Sequence, residues 1–167
     1  MQKIRLAGAV LAALLASPAA LAAPAGVVKN GNNGGPGSLR AALESGASVI
    51  VIKGHVGTIT ITEPLIYSNE LPLRIVGSGQ LVDGTALNDP AAPLLSVTGG
   101  SDVAIRNLAF DAGGGYDFDN PGGGKGIFVD IPEDVTGTVT VDLTGVSVFG
   151  TGNHGIHVSD CSLGDDC

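Results

Sequence analysis

The sequence predicts an all-β chain wound as a parallel β-helix, a solenoid of short strands, behind a short N-terminal capping helix. Three observations carry this reading. Val103-Ala-Ile-Arg-Asn-Leu-Ala-Phe110 and Val141-Asp-Leu-Thr-Gly-Val-Ser-Val148 match position for position, 38 residues apart. In each copy two alternating strands meet at one corner residue, Asn107 or Gly145. These are the types best able to take a left-handed backbone. A single such residue bends a chain from one sheet into the next but cannot reverse it as a hairpin must, which disfavours an antiparallel sandwich. The composition agrees: 27 Gly, 4% aromatics and no Trp suit short Val/Ile/Thr strands between turns. No helix-length segments separate the strands, so a doubly wound sheet is not expected.

The N-terminus reads as a signal peptide over residues 1–22. Lys3 and Arg5 give a charged start, and Leu6 to Ala16 is an apolar run too short to span a bilayer. Ser17-Pro18 breaks that run, and Ala20-Leu21-Ala22 offers a small-x-small cleavage site. The expected destination is the periplasm, the cell surface or the medium. Cleavage would remove two basic residues and no acidic one, leaving a chain more acidic than the precursor's net −8. What remains fits one domain, and no later segment reaches transmembrane length. The acidic balance argues against nucleic acid, which needs basic patches to neutralise phosphates.

Residues 23–37 read as a linker and entry to the cap, Gly- and Asn-rich from Asn30 and ending in Pro36-Gly37. The solenoid is expected over 38–167. Its lid is a short helix over 38–46, with Ser38 as N-cap, Leu39, Ala42 and Leu43 on one face, and Gly46 as the stop. Strands are expected at Val49–Ile52, Thr58–Thr62, Leu73–Gly77, Leu94–Val97, Ile127–Ile131 and Ile156–Val158. Leu73, Ile75 and Gly77 match Val103, Ile105 and Asn107 at an offset of 30.

Gly37-Ser-Leu-Arg-Ala-Ala-Leu43, Val49-Ile-Val-Ile52, Ile59-Thr-Ile61, Pro64-Leu65, Leu73-Arg-Ile75 and Gly77-Ser-Gly79 together resemble the N-terminal part of right-handed parallel β-helix proteins of the pectate-lyase-like superfamily. The resemblance spans most of residues 37–160. It implies a right-handed solenoid and leaves function open, because the group includes polysaccharide lyases, glycoside hydrolases and adhesins. The lyases hold calcium on carboxylates and use an Arg base. No such set matches residue by residue: Arg40 lies in the cap helix, and Arg74 and Arg106 face outward without an acidic cluster in register.

Candidate sites follow from the repeat. Gly126-Ile127 matches Gly155-Ile156 at an offset of 29 rather than 38, so nine extra residues lie in the loop from Ala112 to Gly124. Projecting loops are where binding groups accumulate. This one offers Tyr116 and Phe118 to stack on a sugar, and Asp117, Asp119 and Asn120 as oxygen ligands for Ca2+. The Asp-x-Asp pair lacks the full series of a calcium loop, so a solvated loop is the competing reading.

Beside the loop, alternation turns Phe128 and Asp130 outward on one strand and His157 and Ser159 outward on the next, with Lys125 near His154. His154 and His157, three apart, would face opposite sides of a strand, so the expectation is a turn histidine plus an exposed strand histidine rather than a metal pair. Ser159, Asp160 and His157 lack the elbow that would make a nucleophilic triad. Cys161 and Cys167 are expected to form a disulfide in an oxidising compartment, with free or intermolecular thiols as the alternative.

After Val158 only nine residues remain, mostly polar or Gly. Three readings of that end stay open: a minimal disulfide cap, a partner or second copy stacked end to end, or a coding sequence that continues. The functional expectation is a module that binds a polysaccharide or cell-surface glycan, with no complete catalytic set. The alternatives are a calcium-dependent polysaccharide lyase or related glycan-degrading enzyme, and a structural adhesin or passenger segment.

Overall fold

A computed structural model describes residues 25–114 and 124–160. Ten strands and one helix follow in order: β1 Ala25–Val28, α1 Leu39–Glu44, β2 Val49–Ile52, β3 Thr58–Thr60, β4 Leu65–Tyr67, β5 Leu73–Asp83, β6 Leu95–Val97, β7 Val103–Asp111, β8 Ile127–Ile131, β9 Val141–Phe149 and β10 Ile156–Asp160. They form two parallel sheets. One runs β1-β2-β5-β7-β9, with β3 also paired to β5, and the other runs β4-β6-β8-β10. The fold is therefore mostly β, with each strand paired in parallel to one that lies earlier or later in the chain.

The predicted repeat is the observed register. Val103 pairs with Val141, Ile105 with Leu143, Leu108 with Val146 and Phe110 with Val148. Asn107 (φ 54°) and Gly145 (φ 65°) both adopt the left-handed backbone expected of the corner. At the corner of β5 two more residues are accommodated, since the register shifts between Val76 and Gln80. Gly77 is required there because a Cβ would stand 2.6 Å from the Asn107 carbonyl oxygen. The buried Gln80 amide satisfies the insertion. It donates to the Lys53 carbonyl (3.2 Å) and the Ser78 hydroxyl (2.9 Å), and accepts from the Ser78 N–H (2.7 Å).

Alternation makes the core. Inward side chains line up across strands as Ile50–Ile75–Ile105–Leu143, Ile59–Val82–Phe110–Val148, Leu65–Leu95–Ile127 and Tyr67–Val97–Val129. Apart from Leu143 and Val148, all of these are buried. Each inward residue thus covers its neighbour one strand on, which is how three-residue strands such as β4 are stabilised.

α1 is shorter than the predicted 38–46, but its signals are where expected. Ser38 Oγ accepts from the Ala41 N–H (3.1 Å), and Leu39, Ala42 and Leu43 are buried. Gly46 follows the C-cap at φ 72°. Arg40 ties the helix to the chain beyond it. Its guanidinium donates to the carbonyls of Asn33 (2.8 Å), Pro64 (2.7 Å) and Glu63 (2.7 Å) and to Asn33 Oδ1 (3.1 Å).

Three expectations need correction. Residues 23–37 are not all linker, because Ala25–Val28 is a strand parallel to β2. Its sequence is too short to show a period, and Gly26 serves a contact with α1: a Cβ there would sit 3.0 Å from Ala42 Cβ. β4 was not expected as a strand at all; its pairing with β6 supplies what its three residues do not signal. Ile156 and Val158 lie in register with the buried Ile127 and Val129. Yet each is 44% exposed, because β10 has no described neighbour on its far side.

Candidate functional site

The site is built on β8 and β10. Ile127, Val129 and Ile131 are buried, so Phe128 and Asp130 stand on the outer face. Parallel pairing then sets His157 beside Phe128 and Ser159 beside Asp130, as the repeat predicts. The Phe128 and His157 rings lie 5.3 Å apart and tilted by 53°. The Lys125 ammonium sits 4.5 Å from the centre of the Phe128 ring, a cation–π contact worth about 0.5–1 kcal/mol at an exposed site.

His154 stands outside the strand, as expected of a turn histidine. It precedes β10 in a turn, so the rule of opposite sides does not reach it. Its carbonyl accepts from the Gly126 N–H (3.1 Å), while the Gly155 carbonyl accepts from the Ile127 N–H (2.9 Å). Held this way, its ring lies 4.9 Å from that of His157 at 35°. The two histidines share one face.

Electrostatics follow from this packing. Burial pushes the His157 imidazole below its ordinary pKa, and the Lys125 and His154 charges add to the effect, while Asp130 opposes it. Among the described residues, His157 Nδ1 is buried without a hydrogen-bond partner. The result is an imidazole packed against an aromatic ring that also carries a cation. Such a surface can stack on the apolar face of a sugar and exchange hydrogen bonds with its hydroxyls.

The outer column extends further than sequence reasoning found. Ile66 pairs with Ser96, Ser96 with Phe128 and Phe128 with His157, an unbroken line across all four strands of the smaller sheet. Ile66 is 55% exposed. Ile66 could not be placed without knowing that β4 is a strand, and Ser96, on the expected strand Leu94–Val97, could not be joined to it.

Tyr116, Asp117, Phe118, Asp119 and Asn120 lie outside the described residues, as do Cys161 and Cys167. Among the described residues, no group of three or more His, Cys, Asp or Glu is placed to hold a metal. On the larger sheet Asp142 Oδ2 accepts from the outward Arg106 at 3.0 Å. The Thr144 hydroxyl and Arg106 hold the Asp142 carboxyl below its ordinary pKa. No helix among the described residues is long and apolar enough to cross a membrane. No protein-family model, curated protein or solved structure matches the chain.

Proposed function

We propose that the chain is an exported, right-handed parallel β-helix of the pectate-lyase-like kind that binds carbohydrate on the outer face of its smaller sheet. Its place of action is the periplasm, the cell surface or the medium. One observation carries the binding reading: the continuous outer column Ile66–Ser96–Phe128–His157, flanked by Lys125 and His154. An apolar and aromatic strip edged by hydrogen-bonding groups suits a sugar chain, whose rings have apolar faces and polar rims. The two parallel sheets and the left-handed corners support the solenoid reading.

A glycan array tests the site. Phe128→Ala and His157→Ala should each lower retention while the unfolding midpoint stays close to wild type. Unchanged retention in both variants would place the ligand elsewhere. Repeating the array with a chelator tests whether calcium takes part. Release of unsaturated, ultraviolet-absorbing products from polygalacturonate or alginate would replace binding with lyase activity.

A further inference from the structure

The outer column of the smaller sheet ends at Ile66, and Ile66 also lines a hollow of about 490 Å³ beside the end of α1. Leu43, Glu44, Gly46, Ser68 and Asn69 form the rest of its wall, and Glu44 is the one charged residue among them. Glu44 is exposed and has no ion-pair partner among the described residues. It is also the last residue of α1, whose final turn holds no basic residue. A helix C-terminus favours a cation, so this carboxylate adds to the negative potential of the terminal carbonyls instead of offsetting it. Asn69 is held at the same wall. Its Oδ1 accepts from the Leu71 N–H (3.1 Å) and its Nδ2 donates to the Gly46 carbonyl (3.5 Å), which leaves one amide proton for a ligand.

The two ends of the column therefore differ in charge. Lys125 lies over Phe128 near the β10 end, and Glu44 stands alone at the α1 end. We infer that the hollow is an end subsite for a protonated amino sugar, one unit of a glycan that lies along the column. This rests on the carbohydrate reading of that column. The ammonium pairs with Glu44, the Ser68 hydroxyl and the Asn69 amide meet the ring hydroxyls, and Ile66 takes the apolar ring face. A uronate in the same place would set carboxylate against carboxylate. Three strand steps of about 4.8 Å separate Ile66 from His157, roughly 14 Å, so a ligand that reaches both is an oligosaccharide rather than a single sugar.

Calorimetric titration with tetraglucosamine and with its fully N-acetylated form tests this, under mildly acidic conditions that keep the free amines protonated. The unfolding midpoint of each variant checks folding. Wild type should bind the free amine form about fivefold more tightly, the upper range for an exposed ion pair. That preference should vanish in Glu44→Gln and shrink as salt is added. Phe128→Ala should weaken both sugars alike. Equal affinity for the two sugars in wild type, or a preference that survives Glu44→Gln, overturns the end subsite; if Phe128→Ala still weakens binding, the column reading stands without it. Binding indifferent to Phe128→Ala, or binding of neither sugar, overturns the column and its end subsite together.

Discussion

Replacing Arg40 should loosen the attachment of α1 to the neighbouring chain. The guanidinium donates four hydrogen bonds of 2.7–3.1 Å, three of them to the main-chain carbonyls of Asn33, Glu63 and Pro64. A hydrogen bond from a charged donor contributes about 1.5–3 kcal/mol when buried, but these lie near the surface and are shared by one side chain. The set is therefore worth about 2–4 kcal/mol to folding for Arg40→Ala. Arg40→Lys keeps the charge but cannot fork between Asn33 and the 63–64 carbonyls, and should cost roughly half as much. Urea denaturation reads both, with the midpoint falling and the slope unchanged. A double-mutant cycle with Asn33→Ala should show coupling of about 0.5 kcal/mol or more, since Asn33 Oδ1 also accepts from the Thr62 N–H. The reasoning fails if Arg40→Ala stays within about 0.5 kcal/mol of wild type, or if Lys serves as well as Arg.

Three further outcomes are expected. Gly145→Ala should cost about 1–2 kcal/mol for the left-handed backbone. It should cost more than Gly35→Ala, because a Cβ at 145 meets Asn107 Oδ1 at 2.6 Å whereas one at 35 meets nothing within 4 Å. Equal midpoints for the two variants would remove the side-chain part of that account. Phe110→Ala, at the centre of an inward column, should cost about 3–5 kcal/mol in the same assay, and a loss under about 1 kcal/mol would mean the column collapses around the cavity. His157 is held below its ordinary pKa, so the unfolded chain binds the more protons. Its contribution is flat above the unfolded value of about 6.5, and stability falls as pH drops through that value towards the folded one. His157→Gln should flatten this part of the pH profile. A slope that persists in the variant, or one of opposite sign, would contradict the burial of this imidazole.

The site was legible in part. Phe128, His157, Asp130 and Ser159 follow from the repeat because alternation and register are local properties of β8 and β10. His154 was expected in the turn before the strand, but its approach to the His157 ring was not legible, because in a turn only the backbone bonds to Gly126 and Ile127 decide a side chain's direction. Ile66 was missed because a three-residue strand has no period to detect and only pairing with its neighbours defines it, while Ser96 lay on an expected strand whose partners the sequence did not give.

The sequence by itself determined the repeat, the corners at Asn107 and Gly145, the inward and outward sides of the longer strands, and the short helix with its Ser38 start. Each depends on neighbours within a few residues or on two copies written in the same order. Only the tertiary structure decided that Ala25–Val28 is a strand and that Arg40 ties α1 to residues 33, 63 and 64. The partial exposure of Ile156 and Val158 belongs to the same class. These depend on what lies one strand away in space and two to three dozen residues away in the chain. A side chain's alternation says which way it points; the strand beside it determines whether anything covers it.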